Sequence, residues 1–186
     1  MTPHPLPSAF TADAFLAWAA DQPRGRFELV AGQVVAMAPE RAGHARAKGR
    51  VYRALGDAIA RAGLDCEAFT DGMTVRIDTG TVYEPDALVR CGPRTPDAAV
   101  EIADPAIVVE VASPSSRGAD TGAKLGDYFT LPSVRHYLVV NAETRTLIHH
   151  RRGTEDAIAT RILREGTLEL DPPGLLLDLA AIFPAD

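Results

Sequence analysis

The sequence has few cysteines and no long apolar stretch, and each deficit narrows the class of protein. Its 2 cysteines, Cys66 and Cys91, stand in unrelated surroundings without a CxxC spacing, so reduced thiols of a cytoplasmic protein are the expected state. The apolar runs are far shorter than the ~20 residues of a membrane-spanning helix. The N-terminus has no charged segment followed by an apolar one, so we expect neither a secretory signal nor contact with a membrane.

Positive charge is also in short supply. The chain has 19 Lys and Arg against 25 Asp and Glu, a formal net charge of −6 and a pI near 5.3. This balance argues against a protein that coats nucleic acid without specificity, because such binding depends on basic patches. It does not exclude an enzyme that acts on nucleic acid, since clustered active-site carboxylates lower the pI. The position of the basic residues is therefore more informative than their number.

Several common catalytic patterns are missing from the sequence. It has no Gly-rich phosphate loop. Ser113 and Ser115 lack an accompanying His and Asp arrangement that would make a nucleophilic triad. His149 and His150 are adjacent on a predicted strand, so their side chains point to opposite faces and are unsuited to chelating one metal ion. None of these chemistries is indicated.

The length of 186 residues and the hydrophobic content of 46% are sufficient for one domain with a proper core. We divide this single domain into an N-terminal lead with a short helix (1–24), a core (25–152) and C-terminal strands with an apolar tail (153–186). The tail contains LLLDLAAIF, at 175–183, which suits either a closing helical turn or contact with a second subunit. This stretch favours a homodimer.

The pattern of elements predicts an α/β or α+β domain with a mixed central sheet between helices at 43–63 and 120–131. A short helix capped by Thr11 and a hairpin around Ala31-Gly32 precede the longer helix. One strand at 82–89 carries Asp86. The remaining predicted strands fall at 66–70, 73–77, 107–111, 134–141, 145–151, 158–163 and 167–170.

The predicted strand at 107–111 is the centre of the chain. It is apolar as expected for a strand buried on both faces, yet it carries Glu110, which needs a cation or hydrogen-bonding partners because a buried unpaired charge is costly. The helix that follows places Asp120, Lys124 and Tyr128 on one face at successive i+4 positions. A second acid, Asp86, lies on the strand at 82–89, so a metal site between strand ends is indicated.

These residues resemble the PD-(D/E)XK nuclease superfamily. Pro85-Asp86 and Glu110-Val111-Ala112 match its two acidic motifs, and the further elements Asp120, Lys124 and Tyr128 resemble its large bacterial branch labelled putative restriction endonuclease. The resemblance implies a restriction-endonuclease-like core. The sequence departs from the superfamily at Ala112, where a lysine is expected, and in this branch Lys124 on the next helix takes that place.

The resemblance also implies an activity, a Mg²⁺-dependent (or Mn²⁺-dependent) endonuclease acting on DNA. Asp86, Glu110 and the backbone carbonyl of Val111 would bind the metal, and Lys124 would act on the nucleophile or on transition-state charge. The residues themselves leave a second interpretation open. In it, the same side chains form a buried salt-bridge network in a catalytically silent nuclease-fold protein that binds nucleic acid or another protein, although such networks stabilise a fold only weakly.

Auxiliary residues are predicted on two further elements. Glu28 matches an acid common in the family, although a solvated strand glutamate explains it equally well. His44 and Lys48 make one end of the apolar stripe of the 43–63 helix polar, which indicates that this end opens on a cleft near Asp86. The opposite face of this helix is basic and is either a nucleic-acid contact or a solvated surface; it carries Arg46, Arg50 and Arg53.

Overall fold

The computed structural model describes residues 9–112, 119–155 and 157–184. Its helices are α1 (Ala12–Ala20), α2 (Ala42–Ala62), α3 (Ala119–Tyr128) and α4 (Leu179–Ile182). Its strands are β1 (Phe27–Val30), β2 (Gln33–Ala36), β3 (Cys66–Thr70), β4 (Val75–Arg76), β5 (Val82–Tyr83), β6 (Ala87–Cys91), β7 (Ile107–Val111), β8 (His136–Asn141), β9 (Thr146–Arg152), β10 (Ile158–Leu163), β11 (Thr167–Leu170) and β12 (Leu175–Asp178). Among the described helices, none is both long and apolar enough to cross a membrane.

The central sheet has six strands in the order β10-β9-β8-β7-β6-β3. Strands β7 and β8 pair in parallel, and every other neighbouring pair is antiparallel, so the sheet is mixed. A parallel pair needs a crossover connection, and α3 lies in the connection between β7 and β8. The predicted fold class is confirmed.

The two faces of the central sheet are covered by different elements. On one face, α2, the β11–β12 hairpin and α4 enclose a core that includes Leu55 and Val109. On the other face, α3 packs against a second core that includes Tyr128 and Val108. Because neighbouring residues of a strand point to opposite faces, Glu110 points to the α3 side. A smaller sheet of four strands, in the order β2-β1-β5-β4, lies beside this second core.

Local sequence signals account for the N-terminal elements. Thr11 caps α1 by accepting a hydrogen bond from the backbone N–H of Ala14 at 3.3 Å. The predicted hairpin forms between β1 and β2, with both Ala31 (φ 48°) and Gly32 (φ 79°) in the left-handed region that a tight two-residue turn requires. Helix α2 ends at Gly63, which is also left-handed at φ 62°.

The single strand predicted at 82–89 is wrong. The structure has two strands there, β5 in the smaller sheet and β6 in the central sheet, separated by Glu84, Pro85 and Asp86. Pro85 has no N–H to donate to a ladder, so the chain leaves one sheet and enters the next at this point. Asp86 therefore lies just before β6 and is not held within a continuous strand.

The prediction of two reduced thiols is also wrong, because Cys66 and Cys91 form a disulfide. Strands β3 and β6 pair antiparallel with Cys66 directly opposite Cys91, which brings two residues from unrelated parts of the sequence together. The argument for a cytoplasmic location from free thiols no longer applies.

The C-terminal stretch at 175–183 is part of the chain's own core. Leu175, Leu177, Leu179, Ile182 and Phe183 are all buried, in strand β12, in helix α4 and just after it. In β12 the buried leucines alternate with exposed positions, as expected for a strand with one face on a core. This burial removes the basis on which the stretch predicted a homodimer.

Two buried histidines, His136 and His149, should lower the free energy of unfolding in acid. The Nδ1 atom of His136 lies 2.9 Å from Nε2 of His149, and Nε2 of His136 lies 2.9 Å from the carbonyl oxygen of Pro172. Burial lowers the pKa of both imidazoles to about 4. Between pH 6.5 and 4 these two imidazoles bind protons in the unfolded chain and not in the folded one, and together they should lower the free energy of unfolding by about 5 kcal/mol over this range. Urea unfolding at several pH values measures the loss.

The double variant His136→Asn, His149→Asn is the control for this prediction. It removes both titrating groups and should be less dependent on pH between 6.5 and 4 than the parent chain. An unchanged pH dependence in the double variant would assign the acid sensitivity to other groups.

Candidate active site

Asp86 and Glu110 come together because β6 and β7 are neighbours in the central sheet. Ala87 pairs with Val109, so Asp86 and Glu110 follow as the next opposed positions. The Asp86 carboxylate accepts a hydrogen bond from the backbone N–H of Val111 at 2.6 Å, which fixes it against the end of β7. Asp86 is only 5% exposed.

Helix α3 supplies the cation that Glu110 needs. Lys124 Nζ lies 3.2 Å from Oε1 of Glu110 and 2.9 Å from Oε1 of Glu28 on β1. The hydroxyl of Tyr128, one helical turn further, donates to Oε1 of Glu110 at 3.1 Å. We call Glu28, Asp86, Glu110 and Lys124 the acid–lysine cluster. Glu28 is therefore a buried member of this cluster and not a solvated strand residue.

The acidity of Glu110 differs from that of an ordinary glutamate. Burial raises its pKa, the charge of Lys124 opposes this, and the negative charges of Asp86 and Glu28 add to the rise, so the pKa reaches about 8. Burial and the charge of Glu110 also raise the pKa of Tyr128. Strongly perturbed carboxylates of this kind are typical of functional sites.

Helix α2 approaches Asp86 from the opposite side with two polar residues. Lys48 Nζ lies 2.8 Å from Oδ1 of Asp86, 2.7 Å from Glu40 and 3.0 Å from Asp71. Although burial acts against the charged form, the charge of Asp86 and the hydrogen bonds of the three carboxylates raise the pKa of Lys48. His44 Nε2 donates to the Val111 carbonyl oxygen at 2.7 Å and lies 3.8 Å from Asp86.

A second layer of ion pairs surrounds the cluster. Arg26 contacts Asp71 and, at 2.6 Å, Glu84. The backbone N–H of Glu84 donates to Oε1 of Glu28 at 2.9 Å, so this layer connects directly to the acid–lysine cluster. Lys48 makes the other connection through Asp71.

Not every predicted site residue is located here. The side chain of Asp120 lies outside the described residues, although its backbone belongs to α3. Arg46 and Arg53 are exposed on α2, and Arg50 is half-buried. Their role in contacting nucleic acid stays a prediction.

Sequence reasoning missed Glu40, Asp71, Arg26 and Glu84. The signal for Glu40 was available, because Glu40, His44 and Lys48 recur at every fourth position and His44 contacts Glu40 at 2.9 Å. No comparable signal existed for Arg26, whose partners are 45 and 58 residues away in the sequence.

The chemistry of the donors fits a hard divalent cation. Asp86, Glu110 and the Val111 carbonyl offer only oxygen atoms, and Mg²⁺ usually takes one or two carboxylates together with waters and substrate phosphates. Within residues 9–112, 119–155 and 157–184, no three His, Cys, Asp or Glu side chains converge into an all-protein metal cage. A site of two carboxylates from neighbouring strands is consistent with that preference of Mg²⁺.

The mixed sheet, the two acids at its neighbouring strands and the lysine from the next helix define a protein of the PD-(D/E)XK-like, restriction-endonuclease type. The chain belongs to the Uma2 family, described as putative restriction endonucleases, whose pattern matches residues 12–181. The resemblance seen in the sequence is thus confirmed at the level of the family.

Two proteins and one solved structure are similar to the chain over most of its length. The chain is 28% identical over 181 residues to the uncharacterized protein slr1290 of Synechocystis sp., covering 96% of this chain and 93% of that protein. It is 25% identical over 149 residues to the uncharacterized protein sll1609 of the same organism, covering 78% and 83%. A crystal structure described as a putative nuclease belonging to DUF820, from Anabaena variabilis, has the same fold with a TM-score of 0.71 at 14% identity, covering 94% and 97%.

Proposed function

We propose that the chain is a Mg²⁺-dependent (or Mn²⁺-dependent) endonuclease that hydrolyses phosphodiester bonds in DNA. One observation carries the proposal. Asp86 and Glu110 lie at neighbouring strand ends within one mostly buried cluster, with Lys124 bound directly to Glu110. Family membership and the nuclease-type fold support the nuclease-like part of this function.

Each residue of the cluster has a role in this proposal. Asp86, Glu110 and the Val111 carbonyl would hold the ion, which when bound polarises the phosphate and acidifies a water molecule. Lys124 presents a fixed positive charge beside Glu110, where negative charge develops in phosphodiester hydrolysis. Tyr128 fixes the orientation of Glu110 by its hydrogen bond.

Helix α2 would contribute to substrate binding on the Asp86 side. His44 and Lys48 bring positive charge or N–H donors to the edge of the cluster, where a phosphate contact or a proton-transfer role suits them. Arg46 and Arg53 are exposed on the opposite face of this helix, so their contact with nucleic acid would be a separate one. DNA bound at the cluster would meet the N-terminal end of α2 through His44 and Lys48.

A second candidate function has its own supporting observation. Lys48 and Lys124 already neutralise the acids of the cluster, which is what a purely structural ion-pair network would show. In that case the chain would be a catalytically silent nuclease-fold module that binds nucleic acid or another protein.

Cleavage of plasmid and linear DNA by the pure protein separates the two functions. Cleavage in Mg²⁺ or Mn²⁺, absent in EDTA, is expected for the parent chain. Asp86→Ala should abolish this cleavage, because the substitution removes a carboxylate ligand of the metal and the acceptor of the Val111 N–H. Cleavage that persists in Asp86→Ala would identify a contaminating nuclease, and DNA binding without cleavage by the parent chain would favour the silent module.

A further inference from the structure

A cavity of about 490 Å³ borders the ion pairs of Arg26 with Asp71 and Glu84, which contact the acid–lysine cluster through Lys48 and Glu28. This volume is within the range of protein pockets that bind small ligands, about 300 to 1,000 Å³. One wall is apolar and comes from α1 and β1, with Phe15, Leu16 and Phe27. The facing wall is polar and consists of Arg26, Asp71 and Glu84. The catalytic proposal leaves this cavity without a use.

The polar wall connects the cavity to the acids of the cluster through single residues. Asp71 contacts Lys48 at 3.0 Å, and Lys48 contacts Asp86 at 2.8 Å. The backbone N–H of Glu84 donates to Glu28, which binds Lys124. A ligand in the cavity would therefore sit one residue away from the cluster.

Charge excludes a phosphate group from this cavity. The guanidinium of Arg26 already contacts both Asp71 and Glu84, so two carboxylates share one arginine on this wall. A phosphate would meet two negative groups and a cation that is already engaged. A neutral ligand avoids this repulsion.

The two walls together match a planar neutral group with a polar edge. Phe27 offers an aromatic side chain for stacking, and Leu16 extends the apolar surface. The carboxylate oxygens of Asp71 and Glu84 have lone pairs beyond those that Arg26 uses, so the facing wall can accept hydrogen bonds from an edge that carries N–H donors. A nucleobase has two apolar faces and such an edge.

We propose that this cavity, the base pocket, accepts one unstacked nucleobase of the DNA whose backbone lies at Asp86 and Glu110. The inference rests on the proposed function, because it needs DNA at the cluster. It goes further in assigning a recognition element: the chain selects sites where a base is already unpaired or leaves its stack at low cost.

Three duplexes of one sequence test the base pocket: fully paired, with a single bulged base, and with a bulged abasic nucleotide at the same place. Binding is measured by fluorescence anisotropy in EDTA, which separates binding from any cleavage. The bulged base should bind about tenfold more tightly than the abasic bulge, because stacking on an aromatic side chain is available only to a base. The fully paired duplex should bind no better than the abasic bulge.

Variants of exposed positions show whether the cavity is responsible. Val100 lines the cavity and is 60% exposed, so Val100→Trp fills it from the rim with little effect on the core. Val35 on β2 is 45% exposed and does not line the cavity, which makes Val35→Trp the matched control. Val100→Trp should reduce the preference for the bulged base to about twofold or less, whereas Val35→Trp should keep it. Phe27→Leu retains apolar volume and should also lose the preference.

The outcomes separate this inference from the proposed function. Equal binding of the bulged base and the abasic bulge by the parent chain overturns the base pocket and leaves the endonuclease proposal in place. A preference that survives both Val100→Trp and Phe27→Leu also overturns it, since the base is then held elsewhere. Failure to bind any of the three duplexes, in EDTA and also with Mg²⁺ present, would overturn DNA as the substrate and the base pocket with it.

Discussion

Replacing Lys124 with alanine is expected to lower DNA cleavage by roughly two to three orders of magnitude, the usual effect of removing one preorganised electrostatic group. Metal binding should hold or tighten, because the change removes a positive charge that lies 3.2 Å from Glu110. Lys124→Arg should rescue only part of the activity, since a planar guanidinium does not replace a compact ammonium. Lys124 is buried, so thermal unfolding of each variant shows whether the fold is retained.

The Glu110→Ala variant is the comparison for metal binding by Lys124→Ala. It removes a carboxylate ligand and should weaken Mg²⁺ or Mn²⁺ binding measurably. Calorimetric titration of metal into the Lys124→Ala and Glu110→Ala variants compares the two directly. If Lys124→Ala loses metal as severely as Glu110→Ala, the lysine holds the structure of the cluster and has no separate catalytic role.

Glu28→Ala is expected to destabilise the fold by about 3 kcal/mol, because it removes one partner from a buried ion pair. Glu28 is 7% exposed, and its Oε1 atom accepts hydrogen bonds from Lys124 Nζ and from the backbone N–H of Glu84, each at 2.9 Å. Loss of both contacts leaves a buried cation and a buried N–H with fewer acceptors. Glu28→Gln keeps an acceptor oxygen and should cost clearly less.

Urea unfolding measures these changes in the free energy of unfolding. Glu169 on β11 is an exposed strand glutamate, so Glu169→Ala is a matched control that should fall within about 0.5 kcal/mol of the parent chain. If Glu28→Ala costs no more than Glu169→Ala, the buried contacts of Glu28 contribute nothing to stability.

Local sequence patterns were sufficient for most of the elements and for the centre of the site. The apolar run at 107–111 with one glutamate predicts a buried central strand, and the i+4 spacing of Lys124 and Tyr128 predicts two side chains on one helical face. Both patterns are local, so they need no knowledge of the sheet order. In the structure these two side chains reach the same oxygen atom of Glu110.

Features that depend on pairing between distant segments were not predictable in this way. The disulfide follows from the register of β3 against β6, and the contacts of Arg26 join segments far apart in the sequence. The alternating pattern of side chains at 82–89 also does not show that the chain leaves one sheet and enters another at a proline. Pro85 was visible, yet only the structure shows that β5 and β6 have different neighbours.

The ammonium of Lys48 gives the chain a counter-ion of its own. Because Asp86 is neutralised by a residue of the same chain, the folded protein tolerates this buried carboxylate without an added ion. In the proposed enzyme, folding and metal binding would then be separate events, unlike in zinc fingers, which are unfolded without metal. A divalent ion would compete with an ammonium already in contact with Asp86. This competition would weaken the apparent affinity of the folded chain for the ion.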